Sequence, residues 1–198
     1  MRLLLFSDLH RDIAATELLL ERSANVDVLV GAGDFAVVRQ GINDVLRVLR
    51  TVEKPCIFVP GNGESFDELE AACAGWSGAH VLHGSGVELD GVSFFGLGGG
   101  VPVTPFGDWS WDLSEDEAAD LLERCPESAV LVSHSPPFGT ADTARGQHLG
   151  STAVRDTLRS KSPKLLVCGH IHDSWETDVT VETTRVINAG PRGIEVEI

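Results

Sequence analysis

Seven side chains that could bind metal ions come shortly after short apolar runs in this sequence. Each run ends in small residues and is followed by an aspartate, an asparagine or a histidine. Such runs are typical of buried strands, and in an open α/β sheet ligands bind beyond the carboxyl ends of the strands. We therefore expect these side chains to converge on one site. They are Asp8, His10, Asp34, Asn62, His134, His170 and His172.

The number and chemistry of these groups favour two metal ions over one. Seven groups exceed what one tetrahedral ion needs, and none of them is a thiolate. One carboxylate must then bridge the two ions, and Asp34 is the central candidate. Mixed nitrogen and oxygen ligands suit Mn, Fe, Zn, Co or Ni better than Mg or Ca, and among these divalent transition metals we expect Mn.

Five apolar runs of similar design must position these groups, and we predict that each is a strand. Their polar successors lie at the carboxyl ends, where parallel strands would bring them to one edge of a sheet. The runs are LLLF (3–6), VDVLV (26–30), CIFV (56–59), AVLV (129–132) and LLVC (165–168).

Helical patterns alternate with these strands. Two predicted helices begin with Ser65 and Ser114, and each carries a glutamate three positions later, which is typical of a capping box. Others follow the spacing of apolar residues. The predicted helices span 13–23, 42–52, 65–74, 114–125 and 151–160.

Two segments have a different pattern, in which short alternating runs favour hairpins and meanders. They span 86–97, around Asp90-Gly91, and 175–198. The predicted fold is therefore mixed α/β (α+β) rather than purely alternating. No repeat, linker or charge block divides the chain, so we predict a single domain over 1–198. Long loops are expected at 98–107 and 135–150.

The charge balance limits the partners of this protein. The 198 residues include 30 Asp and Glu against 15 Lys and Arg, which gives a net charge of −15. This excess argues against binding duplex nucleic acid or an anionic membrane, both of which need clustered basic residues. The oligomeric state stays open.

Cysteine usage and the amino-terminal residues indicate a compartment. The four cysteines are far apart and form no CxxC pair, so we expect reduced, buried thiols. The first residues, MRLLLFSDLH, lack the apolar stretch of a signal peptide, and no run approaches the roughly 18 apolar residues of a membrane helix. A soluble, cytoplasmic protein is expected.

These motifs together resemble the calcineurin-like metallophosphoesterase family. The matching strings are SDLH, GDF, GN, SHSPP and GHIH, in the family's order from residue 7 to residue 172. The combination of GHIH with DLH and GD is far more specific than any single string. The stretches GQHLGSTAVRDTL and INAGP are similar to those of small bacterial and archaeal members.

The resemblance implies a fold, a ligand set and an activity. The family fold is a four-layer β-sandwich flanked by helices, with the metal site at the strand carboxyl ends. One metal would be bound by Asp8, His10, Asp34 and His172, and the other by Asp34, Asn62, His134 and His170. The implied activity is hydrolysis of a phosphoester by attack of a hydroxide that bridges the metals.

One position departs from the family pattern. In the family, GN is followed by a histidine that is associated with protonating the leaving group, and here Gly63 stands in its place. Either good leaving groups are preferred, or another residue supplies the proton, or catalysis is weak. His148 is the leading substitute for this catalytic role, followed by His83 and Glu64. The alternative interpretation of His148 is a loop residue that is exposed to water and has no catalytic role.

Other residues are candidates for binding substrate. Arg11 directly follows the first metal motif and could bind a substrate phosphate through two parallel hydrogen bonds, or could form a surface ion pair. Arg39 is a second candidate for the same role. The loop aromatics Phe106, Trp109 and Trp111 either stack on a nucleobase or anchor their loop to the core.

Two functions from different classes follow. The first is an enzyme, a metal-dependent phosphoesterase acting on a small phosphodiester or a nucleotide-type phosphoester. The second is a non-catalytic or weakly catalytic binding or scaffold protein on the same fold, for which Gly63 is the direct support. The complete set of candidate ligands favours the enzyme.

Overall fold

The computed structural model describes all residues from 1 to 198 and contains thirteen strands and five α-helices. In chain order these are β1 (Arg2–Phe6), α1 (Ile13–Arg22), β2 (Val28–Gly31), α2 (Ile42–Leu49), β3 (Cys56–Phe58), α3 (Phe66–Cys73), β4 (Ala79–Val81), β5 (Ser85–Leu89), β6 (Val92–Leu97), α4 (Glu115–Leu122), β7 (Val130–Ser133), β8 (Thr143–Ala144), β9 (Gln147–His148), α5 (Thr152–Lys161), β10 (Leu165–Cys168), β11 (Asp178–Val181), β12 (Thr184–Asn188) and β13 (Ile194–Glu197).

The strands form two main sheets and one small hairpin. The first sheet has the order β13-β1-β2-β3-β4, in which only β13 runs antiparallel to its neighbour. The second has the order β11-β12-β10-β7-β6-β5, with four parallel strands between antiparallel edges. The hairpin pairs β8 with β9. Because the central strands are parallel, their carboxyl ends and the loops that follow them lie at one edge of each sheet.

Alternation of side chains along β1 shows how the layers pack. Leu3 and Leu5 lie in a core formed by both sheets, whereas Leu4 and Phe6 pack with residues of α1, α2 and α3. A third core joins the second sheet to α4 and α5. The order is thus helices, sheet, sheet, helices, which confirms the predicted four-layer sandwich flanked by helices.

Most predicted elements are present with small changes at their ends. The helix predicted over 42–52 ends at Leu49, and β4 was not predicted because Ala79–Val81 includes a histidine and no apolar run. Ser65 and Ser114 form the two capping boxes. The Asp90-Gly91 hairpin joins β5 to β6. None of the helices has the length and apolar character needed to cross a membrane.

The four cysteines are buried and unpaired, as the sequence indicates. Burial raises the pKa of the Cys56 thiol to about 12, and it raises the pKa of Cys73 to about 12 as well. These thiols are therefore protonated at neutral pH and behave as small apolar side chains.

Candidate metal centre

Backbone hydrogen bonds join the loops that carry the candidate ligands. The Asp8 N–H donates to the Gly33 carbonyl over 2.9 Å, and the His10 N–H donates to the Asp34 carbonyl over 2.9 Å. The Gly169 N–H donates to the His134 carbonyl over 3.0 Å. Backbone contacts alone thus fix the loop after β1 to the loop after β2, and the loop after β7 to the loop after β10.

A first group of ligands consists of Asp8, His10 and His172. The Nε2 atoms of His10 and His172 are 3.1 Å apart. His172 Nε2 lies 3.7 Å from Asp8 Oδ1, and His10 Nε2 lies 3.6 Å from Asp34 Oδ2. Two imidazole nitrogens and two carboxylates therefore face one small volume.

A second group consists of Asn62, His134 and His170. His134 Nε2 lies 3.1 Å from His170 Nδ1, and Asn62 Oδ1 lies within 3.2 Å of both nitrogens. His134 Nε2 is also 3.6 Å from Asp34 Oδ1. This group offers two nitrogens and two oxygens to a second volume.

Asp34 lies between the two groups. Its Oδ2 faces His10 and its Oδ1 faces His134, so one buried carboxylate contacts both. The structure thus brings all seven candidate ligands together, with Asp34 at the position expected for a bridging ligand.

The hydrogen bonds around these ligands fit metal binding. His134 Nδ1 lies 2.8 Å from the Ala32 carbonyl, so this nitrogen carries the proton and Nε2 keeps its lone pair. His10 has the same arrangement, with Nδ1 3.2 Å from the Ala36 carbonyl. The Asn62 amide donates to Ser110 Oγ over 2.9 Å, which leaves Asn62 Oδ1 facing the histidines. The donor set is therefore oriented for two cations.

Asp8 is held as a carboxylate by its neighbours. Its Oδ2 accepts hydrogen bonds from Ser7 Oγ and from Trp175 Nε1, and its Oδ1 accepts one from the His170 N–H. Burial opposes ionisation, but the pairing with His172 and the other nearby donors lower the pKa of Asp8 well below its usual range. Trp175 also stacks on His172, with ring centroids 4.4 Å apart.

Four of the candidate ligands have a left-handed backbone. The φ angles are 54° at Asp8, 44° at His10, 58° at Asp34 and 65° at His170. This conformation costs an L-residue roughly 1 kcal/mol or more, and it is concentrated at functional sites. The strand-end loops thus accept local strain in order to turn these side chains inward.

Two glycines allow the loops to approach closely. A Cβ on Gly61 would lie 2.7 Å from Asp34 Cγ, and one on Gly33 would lie 2.6 Å from the Gly61 backbone. Cβ atoms are not found so close to other heavy atoms, so only glycine fits at these positions. The glycines of GDF and GN therefore set the spacing between the loops after β2 and β3.

Glu64 has a structural role rather than the proton-donor role considered from the sequence. It is 1% exposed, and its carboxylate accepts N–H groups from Asp34, Ala36 and Gly61 over 2.8–2.9 Å. Burial and the charge of Asp34 raise its pKa to about 7. Both oxygens are occupied inside the protein, so Glu64 holds the loops that carry Asp34 and Asn62.

The other two candidate proton donors lie in the strand β9 and in the loop between β4 and β5. His148 is in β9, half exposed, with Nδ1 2.7 Å from Asp142 Oδ1 and without a hydrogen bond to any candidate ligand. His83 packs on Trp111 with ring centroids 4.9 Å apart, and burial lowers its pKa. A catalytic role for His148 stays a prediction.

The two candidate arginines are paired with carboxylates of the neighbouring helices. Arg11 Nε donates to Asp44 Oδ2 over 2.9 Å, and Arg39 Nε donates to Glu68 Oε2 over 2.7 Å. For Arg11 this is the ion pair that the sequence left as an alternative. Phosphate binding by either arginine stays a prediction.

The loop 98–113 holds Asn62 in place through contacts that sequence reasoning missed. Ser110 accepts the Asn62 amide, and the Trp111 N–H donates to the Asn62 carbonyl over 3.0 Å. Phe106 stacks on Trp109 at an interplanar angle of 14° and is 52% exposed, so Phe106 does not anchor the loop in the core. Trp175 was missed too, although it follows GHIH by three residues.

Acidification should release metal from the first group before the second. Pairing with Asp8 raises the pKa of His172, so protons compete for this nitrogen at higher pH than for an ordinary histidine. Burial and His134 lower the pKa of His170 to about 3, so His170 keeps its lone pair. We expect metal content to fall from about two ions to about one per chain on dialysis from about pH 8 to about pH 5.5. Loss of both ions in a single step would contradict this.

The fold and the paired ligand groups define a dinuclear-type metal centre on a metallophosphoesterase sandwich. Residues 1–196 match the family model described as the calcineurin-like phosphoesterase superfamily domain, so the chain belongs to this superfamily. The family typically binds two metal ions.

Similar proteins occur in animals and in a bacterium. The UPF0046 protein K07C11.7 of Caenorhabditis elegans is 26% identical over 170 residues, which cover 74% of this chain and 57% of that protein. The chain thus spans a little over half the length of this relative. The structure of TT1561 from Thermus thermophilus has a TM-score of 0.77 at 15% identity, covering 96% of this chain and 90% of that one. A dimetal phosphatase from Danio rerio has a TM-score of 0.61 at 15% identity, covering 96% and 88%.

Proposed function

We propose that this protein is a metal-dependent phosphodiesterase that hydrolyses a small phosphodiester or a nucleotide-type phosphoester. The observation that carries the proposal is Asp34, whose two carboxylate oxygens face two separate groups of ligands. A scaffold protein has no need of two ligand groups with oriented lone pairs.

Two divalent ions bound here would activate a water molecule for attack and stabilise the charge that develops on the phosphate oxygens. The chain's own contribution is orientation. Ala32 and Ala36 fix the proton positions of His134 and His10, and Ser110 fixes the amide of Asn62. Because these partners are in place before substrate binds, the centre needs little reorganisation during the reaction.

The residue after Asn62 supports a preference for esters with good leaving groups. Gly63 has no side chain, so no proton donor is available at this position. A positioned general acid contributes about 10²–10⁴-fold in rate, most of all for alkoxide leaving groups. Activated diesters and aryl esters are therefore the preferred substrates in this proposal.

The charge distribution supports a small substrate. The chain carries −15 overall, but Asp8 and Asp34 would face two divalent cations, so the centre is locally positive. A small phosphoester can enter this centre, whereas duplex nucleic acid or an anionic membrane would also meet the acidic surface. Mn is the metal proposed from the mixed ligand set, and the cytoplasm is the proposed location.

The proposal is tested with metal-loaded protein and bis-p-nitrophenyl phosphate. We expect about two ions per chain and release of p-nitrophenol that depends on Mn. Well under one ion per chain would support the scaffold alternative, for which Gly63 is the motivating observation. No turnover of any diester or monoester with any transition metal would overturn the enzyme proposal.

A further inference from the structure

A wide-open surface cavity of about 610 Å³ adjoins the metal centre, and His10 is one of the six residues that line it. Because His10 also belongs to the first ligand group, this space adjoins the centre. The other lining residues come from the loop after β1, from the start of α1, from the loop after β2 and from α2. They are Arg11, Ile13, Val37, Asp44 and Arg47.

One nitrogen of the Arg11 guanidinium group is paired with the protein, and the other two are free. Its Nε donates to Asp44 over 2.9 Å, while its two terminal nitrogens donate to no protein acceptor. The side chain crosses Gly41, where φ is 79° and a Cβ would lie 2.7 Å from Arg11 Cζ. Gly41 therefore provides the room in which Arg11 lies. Two free nitrogens on a held guanidinium are the arrangement that binds a carboxylate or phosphate through parallel hydrogen bonds.

Arg47 adds a second positive charge to the same cavity. It follows Asp44 by three residues on α2, so both side chains lie on the same side of the helix. Arg47 is exposed and makes no hydrogen bond or ion pair with the protein. Two arginines against one aspartate leave the cavity with a surplus of one positive charge in a chain of net charge −15.

The remaining wall is apolar. Ile13 and Val37 are each 39% exposed. Val37 begins a tight turn that closes through backbone hydrogen bonds with Gln40, and the next residue, Val38, has a φ of 48°. Valine rarely adopts this conformation. The strained turn thus keeps an apolar side chain at the edge of a cationic cavity.

We propose that this cavity is a second oxyanion subsite, which binds a phosphate or carboxylate group carried by the substrate. A short aliphatic spacer would pass Ile13 and Val37 and separate this group from the phosphoester at the metal centre. The substrate class is therefore a phosphoester with a second anionic group. This inference rests on the proposed function, because it assumes that a phosphoester occupies the neighbouring centre.

The test compares the affinities of three phosphonates of equal chain length for the Mn-loaded protein. Propylphosphonate has no second anion, whereas 4-phosphonobutyrate carries a carboxylate and propane-1,3-bisphosphonate a second phosphonate, each after three methylene groups. We expect one or both anionic probes to bind about tenfold to a hundredfold more tightly than propylphosphonate by calorimetry. The stronger of the two identifies the second anion.

Variants assign this preference to the cavity. Arg47→Gln should reduce the ratio of affinities by about tenfold, and Arg47→Glu should bring it below one. Arg50→Gln is the matched control, because Arg50 ends the same helix but lines a different cavity. The control should keep the wild-type ratio.

Hydrolysis of bis-p-nitrophenyl phosphate by the same preparations separates the two proposals. A protein that hydrolyses this diester but binds all three phosphonates equally overturns the subsite alone. A protein that prefers the anionic probes through Arg47 but hydrolyses no ester overturns the proposed activity and supports the subsite. A preference that persists in Arg47→Gln and Arg11→Gln overturns the assignment to this cavity.

Discussion

Replacing Asp34 by asparagine should lower metal-dependent hydrolysis at least about 10³-fold, since it removes a charge that both ligand groups use. The effect on the two groups should differ. Asp34 Oδ1 accepts a hydrogen bond from the Gly63 N–H over 2.7 Å, so the amide oxygen of the variant will stay at this position. The amide NH₂ will then take the place of Oδ2 and face His10. An NH₂ group cannot bind a cation, so the first group should lose its ion.

Metal analysis alongside kinetics checks this prediction. Asp34→Asn should retain about one ion per chain, bound at the group of Asn62, His134 and His170. Asp116→Asn is a suitable control because Asp116 is exposed on α4, and this variant should keep two ions and full activity. Two tightly bound ions and a wild-type rate in Asp34→Asn would show that Asp34 does not bridge a metal centre.

The convergence of the ligands could be predicted because it depends on topology. Apolar runs such as 3–6 and 165–168 are buried on both faces and form parallel strands, so the residues that follow them meet at one edge. The type and position of Asp8 and His170 were sufficient to predict their neighbourhood. The helix starts at Ser65 and Ser114 could be predicted because the capping box depends on only four consecutive residues.

The features that orient these ligands depend on long-range contacts that spacing does not reveal. Trp175 donates to Asp8 across 167 positions of the chain, and Ser110 contacts Asn62 across 48. Glu64 was a candidate proton donor from the sequence, but its burial against backbone N–H groups is a tertiary property. The room that Gly41 leaves for Arg11 is likewise visible only in three dimensions.

Gly63 lies where a side chain could act on the leaving group of the substrate. Its N–H donates to Asp34 Oδ1 over 2.7 Å, so a side chain at this position would begin beside the metal centre. A Cβ there would lie 3.1 Å from both the Ala36 carbonyl oxygen and Asp34 Oδ1. These contacts are tight, but a shift of a few tenths of an ångström relieves them. Position 63 therefore accepts a side chain only if the Ala36 carbonyl and the Asp34 carboxylate shift slightly, and an alanine at this position measures the effect of that shift.

Gly63→His should raise kcat/KM for alkyl phosphoesters by about 10²-fold relative to aryl phosphoesters. An imidazole at this position can donate a proton to a departing alkoxide, whereas a p-nitrophenolate leaves without one. The measurement is kcat/KM over a series of esters plotted against the pKa of the leaving group, and the slope should become shallower in the variant.

Gly63→Ala is the matched control for this experiment, because it introduces the same Cβ without an acid. Its rates should fall or stay equal for all esters, and its slope should match that of the wild type. If the histidine and alanine variants have the same slope, the missing side chain at position 63 does not limit protonation of the leaving group. A donor elsewhere, with His148 first among the candidates, would then have to account for hydrolysis of alkyl esters.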